Sequence, residues 1–287
     1  MNDKISKNAF NILRSSITTL MNNKIILYPF FLIICVQFLI LEILYFAPQF
    51  PLNKFFGPLI SKLWSESFLH YPNYFLLLPK LFQYSQFFIY IFLNGFLIGI
   101  AILAIKTIND GKKVTYNKIL TASLSSYLHI LILSFITFFL IMLFIKGYGN
   151  LIDRAEQIRS TNGHFYWIKR IVIDGAAYIN LIISVFVSTV FAYTLPIIMI
   201  EKKKIFSSIL LNFQSLRGTF CVTFLVILLP SLFFIPILLL RSSIPSIPAI
   251  PEIRLVILSL SIVTTVLIDA IIYTALTSVY LLQKETA

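Results

Sequence analysis

The amino-acid sequence predicts an all-α polytopic membrane protein: one integral membrane domain over residues 1–287, with six transmembrane helices and amphipathic interfacial helices beside them. Three observations lead there. Hydrophobic residues make up 59% of the 287 and charged residues only 12%, whereas soluble domains run at about 45–50% apolar and about 25% charged. Mean hydropathy is +0.92, more apolar surface than one water-facing shell can enclose. The apolar residues also gather in unbroken runs, and roughly 20 helical residues cross the hydrocarbon of a bilayer. With 28 Phe against 9 Gly and 2 Cys, disorder, collagen-like repeats and a disulfide framework are excluded.

The six runs occupy 25–46, 85–105, 119–145, 175–200, 219–240 and 255–282. A backbone in lipid must satisfy its own hydrogen bonds, and runs of this length fit helices rather than the short alternating strands of a barrel. Ahead of the first run, Ile5, Phe10, Leu13, Ile17 and Leu20 share one broad face with Lys4, Lys7 and Arg14 at its edges. Such a segment lies in the membrane interface. The first run starts late and is followed by Tyr45-Phe46-Ala47-Pro48 rather than a small-residue cleavage site, so it is expected to be an uncleaved anchor.

Between the first two runs, Phe55-Phe56, Leu59-Ile60, Leu63-Trp64 and Phe68 recur every four residues and predict a second interfacial helix. In the second run Gly95 and Gly99 form a close-packing face. The segments beginning at Phe10, Tyr116 and Phe206 each carry an Ile-Leu pair and each lead into a run. They suggest three repeats of an interfacial helix followed by a helical hairpin. In the last connection, residues 244–251 alternate Ile and Pro at three-residue spacing, which fits a polyproline II spacer.

An even number of spans puts both termini on one side. With that side cytoplasmic, 13 Lys and Arg fall in 60 residues of inner segments against 10 in 81 residues of outer ones. This bias favours cytoplasmic termini in a bacterial inner membrane. The net charge of +12 is dispersed over short loops beside apolar helices. The expected partner is therefore anionic membrane lipid, contacted by Lys202, Lys203 and Lys204, with a protein partner in a membrane complex as a further expectation and no nucleic acid.

Polar residues inside spans are costly and each is a candidate site. Asp269 lies mid-way along the sixth run on an i, i+4 row with Ser261, Thr265, Tyr273 and Thr277. A similar row in the third run, Thr121 and Ser125, ends at His129. The fourth run adds Asn180, Ser184 and Ser188, and the second adds Gln86, Tyr90 and Asn94. Two readings stay open: hydrogen bonds that glue helices together, or a mid-membrane pathway with Pro196, Pro230 and Pro236 supplying mobile segments. Glu42, near the end of the first run, is expected to be solvated. Neither Cys35 nor Cys221 has disulfide or metal-type spacing, and His70 and His164 fall in charged loops.

Pro196, Glu201, Ser208, Asn212 and Gly218 are spaced 5, 7, 4 and 6 residues apart. This 23-residue pattern resembles the membrane domain of bacterial glycerophosphoryl diester phosphodiesterases and related six-helix families. The resemblance implies a proline closing the fourth span, a glutamate opening an interfacial helix and a glycine ending it. Asn212 stands where serine is usual. The His-Arg-Gly start and the Glu-x-Asp metal pair of the soluble catalytic barrel in that family are absent from the chain. HExxH, Gly-rich phosphate loops and GxSxG are absent as well. The expectation is a non-catalytic protein without cofactor or metal, acting in lipid association or as the scaffold of a larger assembly. The alternative is a small-solute or lipid transporter using the polar rows. On physical grounds the five-residue motif reads as a structural hinge, with Glu201 at the positive end of the helix it opens and Gly218 in a left-handed stop.

Overall fold

The computed structural model describes residues 9–157, 164–243 and 251–286. Among the described residues there is no strand, and six helices are long and apolar enough to cross a membrane: Lys24–Tyr45, Asn73–Asn109, Tyr127–Gln157, Ala176–Glu201, Phe220–Arg241 and Ile253–Glu285. These are the first to sixth spans below. Two of them depart from the sequence boundaries. The second begins at Asn73 instead of 85, because Pro79 is carried inside the helix Asn73–Phe88 rather than ending it. The third begins at Tyr127 instead of 119 and continues to Gln157, because residues Tyr116–Ser125 form a helix of their own that breaks at Ser126.

Three short helices, Ala9–Asn22, Tyr116–Ser125 and Ile205–Leu216, each precede a pair of spans. The element order therefore repeats three times. Each short helix buries a small polar residue, Ser16, Ser123 or Asn212, at 1% exposure or less. The Ile-Leu pairs that suggested the repeat do not occupy one packing position: Leu13 is buried in the first, Ile119 in the second, and in the third Ile209 is half-buried with Leu210 exposed. The N-terminal helix does not simply float in the interface. Ala9, Leu13, Ser16 and Leu20 dock against the fifth and sixth spans, while Phe10 and Ile17 face outward. Lys4, Ile5 and Lys7 lie outside the described residues.

At the end of the bundle away from the termini, the helix Asn53–Leu63 inserts Ile60 among Leu41, Leu44, Tyr74 and Leu78. Phe55, Leu59 and Leu63 point outward instead, so the four-residue repeat is divided between two faces. The Tyr74 hydroxyl donates to the carbonyl of Leu44, which ties the end of the first span to the start of the second. The helix His164–Asp174 returns along the third span, where the Tyr148 hydroxyl donates to Val172 O at 2.5 Å. Residues 244–250 of the Ile-Pro segment lie outside the described residues.

The second span is the centre of the bundle. From Leu97 to Ile105 every residue is buried, against the first, fourth and sixth spans. Its two glycines permit that approach. A Cβ on Gly95 would lie 2.7 Å from Ser134 Oγ and 2.9 Å from Ile130 Cγ2, and one on Gly99 would lie 3.1 Å from the Met199 side chain. Filling such a contact costs about 1–3 kcal/mol in a packed interior.

Candidate functional site

Polar side chains from five spans meet around a cavity of about 330 Å³. That volume is at the lower end of the roughly 300–1,000 Å³ of small-molecule pockets. The sixth span contributes Thr265, Asp269 and Tyr273, three successive members of the i, i+4 row, and the second contributes Tyr90 and Asn94. Ser184 and Ser188 enter from the fourth span, and Ser134 and Thr137 from the third. The Asn94 amide hydrogen-bonds the Asp269 carboxyl. Its other atom, Oδ1, is buried without a hydrogen-bond partner among the described residues. Tyr90 and Tyr273 lie close enough to Asp269 to interact with its charge.

The backbone is irregular at this level in three spans. The second contains a π-helical segment, Ile89–Asn94, which carries both Tyr90 and Asn94. The fifth passes through a 3-10 segment, Leu232–Phe234, between Pro230 and Pro236, and Ser231 and Phe234 line the cavity. The fourth is interrupted between the helices Ala176–Val190 and Thr194–Glu201, and Phe191, Ala192 and Leu195 line the cavity there. π-bulges concentrate at functional sites. Irregular backbone at membrane depth persists where it is buried in protein or lines a cavity.

Asn212 closes the interruption of the fourth span. Reaching in from the helix Ile205–Leu216, its Oδ1 accepts from Tyr193 N at 2.9 Å and its Nδ2 donates to Val190 O at 2.7 Å. Asn212 is fully buried, so neither bond competes with water. The Tyr193 ring is held in turn by its hydroxyl, 2.8 Å from Thr223 Oγ1 on the fifth span. The interruption therefore lies at the cavity, ahead of Pro196. A serine hydroxyl is too short to bridge both sides.

Other motif residues are repositioned. Glu201 does not open the next helix; it is the last residue of Thr194–Glu201, and the next helix starts at Ile205. Its Oε1 accepts from the Tyr280 hydroxyl at 2.6 Å and Lys284 Nζ at 3.2 Å, and its Oε2 pairs with Lys203 at 3.0 Å. This joins the ends of the fourth and sixth spans. Lys203 is thus engaged with a carboxylate, while Lys202 and Lys204 are exposed, Lys202 in a left-handed conformation with φ 52°. Ser208 is buried and donates to Lys204 O at 3.0 Å. Gly218, with φ 87°, makes the expected left-handed stop before the fifth span.

The structure does not bring His129 to Asp269. His129 is half-buried on the third span and does not line the cavity, and Thr121 and Ser125 are exposed on the separate helix beyond the break at Ser126. That break rotates the row apart. Asn180 also stays outside the lining, one turn from Ser184, whose hydroxyl donates to Asn180 O at 2.9 Å. Ser134 and Thr137, absent from the sequence rows, replace His129 as the contribution of the third span. Their i, i+3 spacing was the available signal. Glu42 is exposed. No grouping of His, Cys, Asp and Glu able to hold a metal occurs among the described residues.

The fold and its interior define the class: a multi-pass, all-α membrane protein with a polar cavity in the bundle. Compared with protein-family models, with curated proteins and with solved structures, the chain has no match in any of the three.

Replacing Asn212 by Leu leaves the Tyr193 N–H and the Val190 carbonyl unpaired in an apolar interior, at about 1–3 kcal/mol for each group. Thermal unfolding in mild detergent is expected to shift clearly downward for Asn212→Leu. Ser207→Leu, an exposed position on the same helix, is expected to leave it unchanged.

Proposed function

We propose that the protein is a transporter for a small solute or a lipid, and that its cavity holds the polar part of the substrate within the bilayer with Asp269 as the charged contact. The observation that carries this reading is the coincidence of irregular backbone with the polar lining: the second, fourth and fifth spans all depart from α-helix beside Asp269. Interhelical glue does not call for such interruptions. Packed serines and amides hydrogen-bond between regular helices, whereas substrate sites of membrane carriers are built from discontinuous ones. The buried carboxyl, costly in hydrocarbon, adds weight to the same side.

The interrupted spans supply the segments that would move, and Asn212 and Glu201 supply latches at which motion is resisted. A non-catalytic role fits this chemistry. The excess of Lys and Arg at the end carrying the termini supports cytoplasmic termini, and the resemblance of the Pro196 to Gly218 motif supports a bacterial inner membrane. On that arrangement Lys202 and Lys204 face the anionic head groups of the inner leaflet. Cysteine introduced at Arg154 is then expected to react with an impermeant thiol reagent in intact cells, and cysteine at Lys203 to be protected; the reverse pattern inverts the orientation.

Asp269→Asn separates transport from scaffolding. It preserves size and hydrogen-bonding capacity while removing the charge. The variant is expected to melt in detergent at the same temperature as the parent or higher, yet to fail to restore a deletion strain. Full complementation by Asp269→Asn would return the polar row to the role of helix packing and leave the scaffold as the better reading.

A further inference from the structure

A second cavity, of about 670 Å³, lies between the first cavity and the end of the bundle remote from the termini. It is bounded by the second and sixth spans, the first span and the end of the fifth. The same two polar rows run through both cavities. Gln86 lines the second and Tyr90 and Asn94 the first; Ser261 lines the second, Asp269 and Tyr273 the first, and Thr265 lines both.

The charges of the second cavity are of one sign. Lys80, Arg241 and Arg254 line it, and no Asp or Glu does among the described residues. Residues 244–250, next to it in the chain, contain no acidic residue either. Arg241 is held in place: its Nη2 donates to Ser261 Oγ at 2.9 Å and its guanidinium lies 5.7 Å from the centre of the Phe234 ring. None of the three cations forms an ion pair with a carboxylate among the described residues. Amides complete the polar wall. Gln37 is only 7% exposed in the midst of an apolar span, and Gln86 Nε2, a donor, is buried without a partner among the described residues.

A wall of guanidinium, ammonium and amide donors without a competing carboxylate is a receptor for an oxyanion. Guanidinium groups match phosphate oxygens in pairs, and a buried donor left unpaired is costly unless an acceptor reaches it. Apolar side chains from the same helices, Leu76, Ile257, Leu258 and Ile262, form an apolar wall beside these donors. The positive charges are not needed for orientation, since that signal comes from cytoplasmic segments.

We propose that this cavity binds a phosphate group, with Arg241, Arg254 and Lys80 as its charged contacts and Gln86 as a neutral donor. The phosphate is the head group of an anionic lipid whose chains follow the apolar wall, or the free ion. The site rests on its own residues and does not require that the Asp269 cavity transport anything. If both hold, it is the entry station of a polar route whose next station is Asp269.

The test uses the purified full chain in mild detergent, with binding read by native mass spectrometry and by thermal shift. Phosphatidylglycerol, phosphatidylcholine with the same chains, and inorganic phosphate are the probes. Phosphatidylglycerol is expected to bind and stabilise, and phosphatidylcholine to do so much less. Arg241→Gln and Arg254→Gln should each weaken the anionic lipid by about tenfold or more, the scale of a lost charge-assisted hydrogen bond. Replacing Lys62, an exposed cation at the same end of the bundle that does not line the cavity, by Gln should leave this site unaffected. Stabilisation by inorganic phosphate alone, abolished by the same Arg variants, identifies the free ion as the ligand; no such effect, with lipid binding intact, identifies the head group. Arg254→Gln and Lys80→Gln leave the Arg241–Ser261 bond in place and carry the reading if Arg241→Gln fails to fold. Equal binding of both lipids, or binding unchanged in folded Arg254→Gln and Lys80→Gln variants together with no response to phosphate, would overturn the proposal. Asp269→Asn should bind phosphatidylglycerol as the parent does, so failure of the transport reading and failure of this one are distinguishable.

Discussion

The amide of Asn212 makes an interrupted membrane helix possible. Hydrocarbon offers no water to unpaired backbone groups, so a span cannot simply open between Val190 and Thr194. One side chain with a donor and an acceptor on the same planar group answers both sides of the gap, Tyr193 N and Val190 O. Much else follows from that bridge. The helix Ile205–Leu216 must fold back against the fourth span to deliver the amide, which requires the turn at Lys202 and the stop at Gly218. The Glu201 carboxylate then lies where Tyr280 and Lys284 can reach it, which fixes the end of the sixth span, and with it the row that carries Asp269.

The bundle around the cavity combines closely packed and irregular parts. The closely packed part is the second span beyond Gly95, enclosed on three sides and so close to its neighbours that a single methyl group would collide. The irregular parts are the π segment, the interruption at Phe191–Tyr193 and the 3-10 segment before Pro236, all facing the same polar space. Spans that rock about such segments while one helix stays fixed are a physical basis for alternating exposure of a site. The two polar rows, on the second and sixth spans, give that site a direction: they run from the cations of the distal cavity to Asn94 and Asp269.

The fold class was legible because length and hydropathy alone decide it. Six apolar runs have no other home than a bilayer, and all six form helices long and apolar enough to cross it. Their limits were less legible. Pro79 and Lys80 gave residues 73–84 the look of a connection, although a helix packed among others carries both, and the break at Ser126 was hidden inside a continuous apolar run. Of the site, the rows on the second and sixth spans were readable from spacing, since i, i+4 periodicity survives within one helix. Pairings across helices were not. His129 stays off the cavity lining because its row crosses a helix break, Asn180 stands one turn too far along, and Ser134 and Thr137 went unnoticed among larger neighbours. The role of Asn212 depends on a contact made 19 and 22 residues back along the chain, and periodicity carries no record of it.

Access of water-soluble reagents to the interior is the most direct test of the central claim that the rows enclose a working cavity. In a chain whose Cys35 and Cys221 are replaced by Ala, cysteine is introduced at Thr137 or Ser184 on the lining, or at Phe186, which is exposed on the lipid-facing side of the fourth span. Reaction with a small charged thiosulfonate is followed in native membranes. A polar cavity that opens during a transport cycle predicts labelling at Thr137 and Ser184 and none at Phe186. Protection at all three positions would contradict it, and would mean that the polar rows are closed seams between helices.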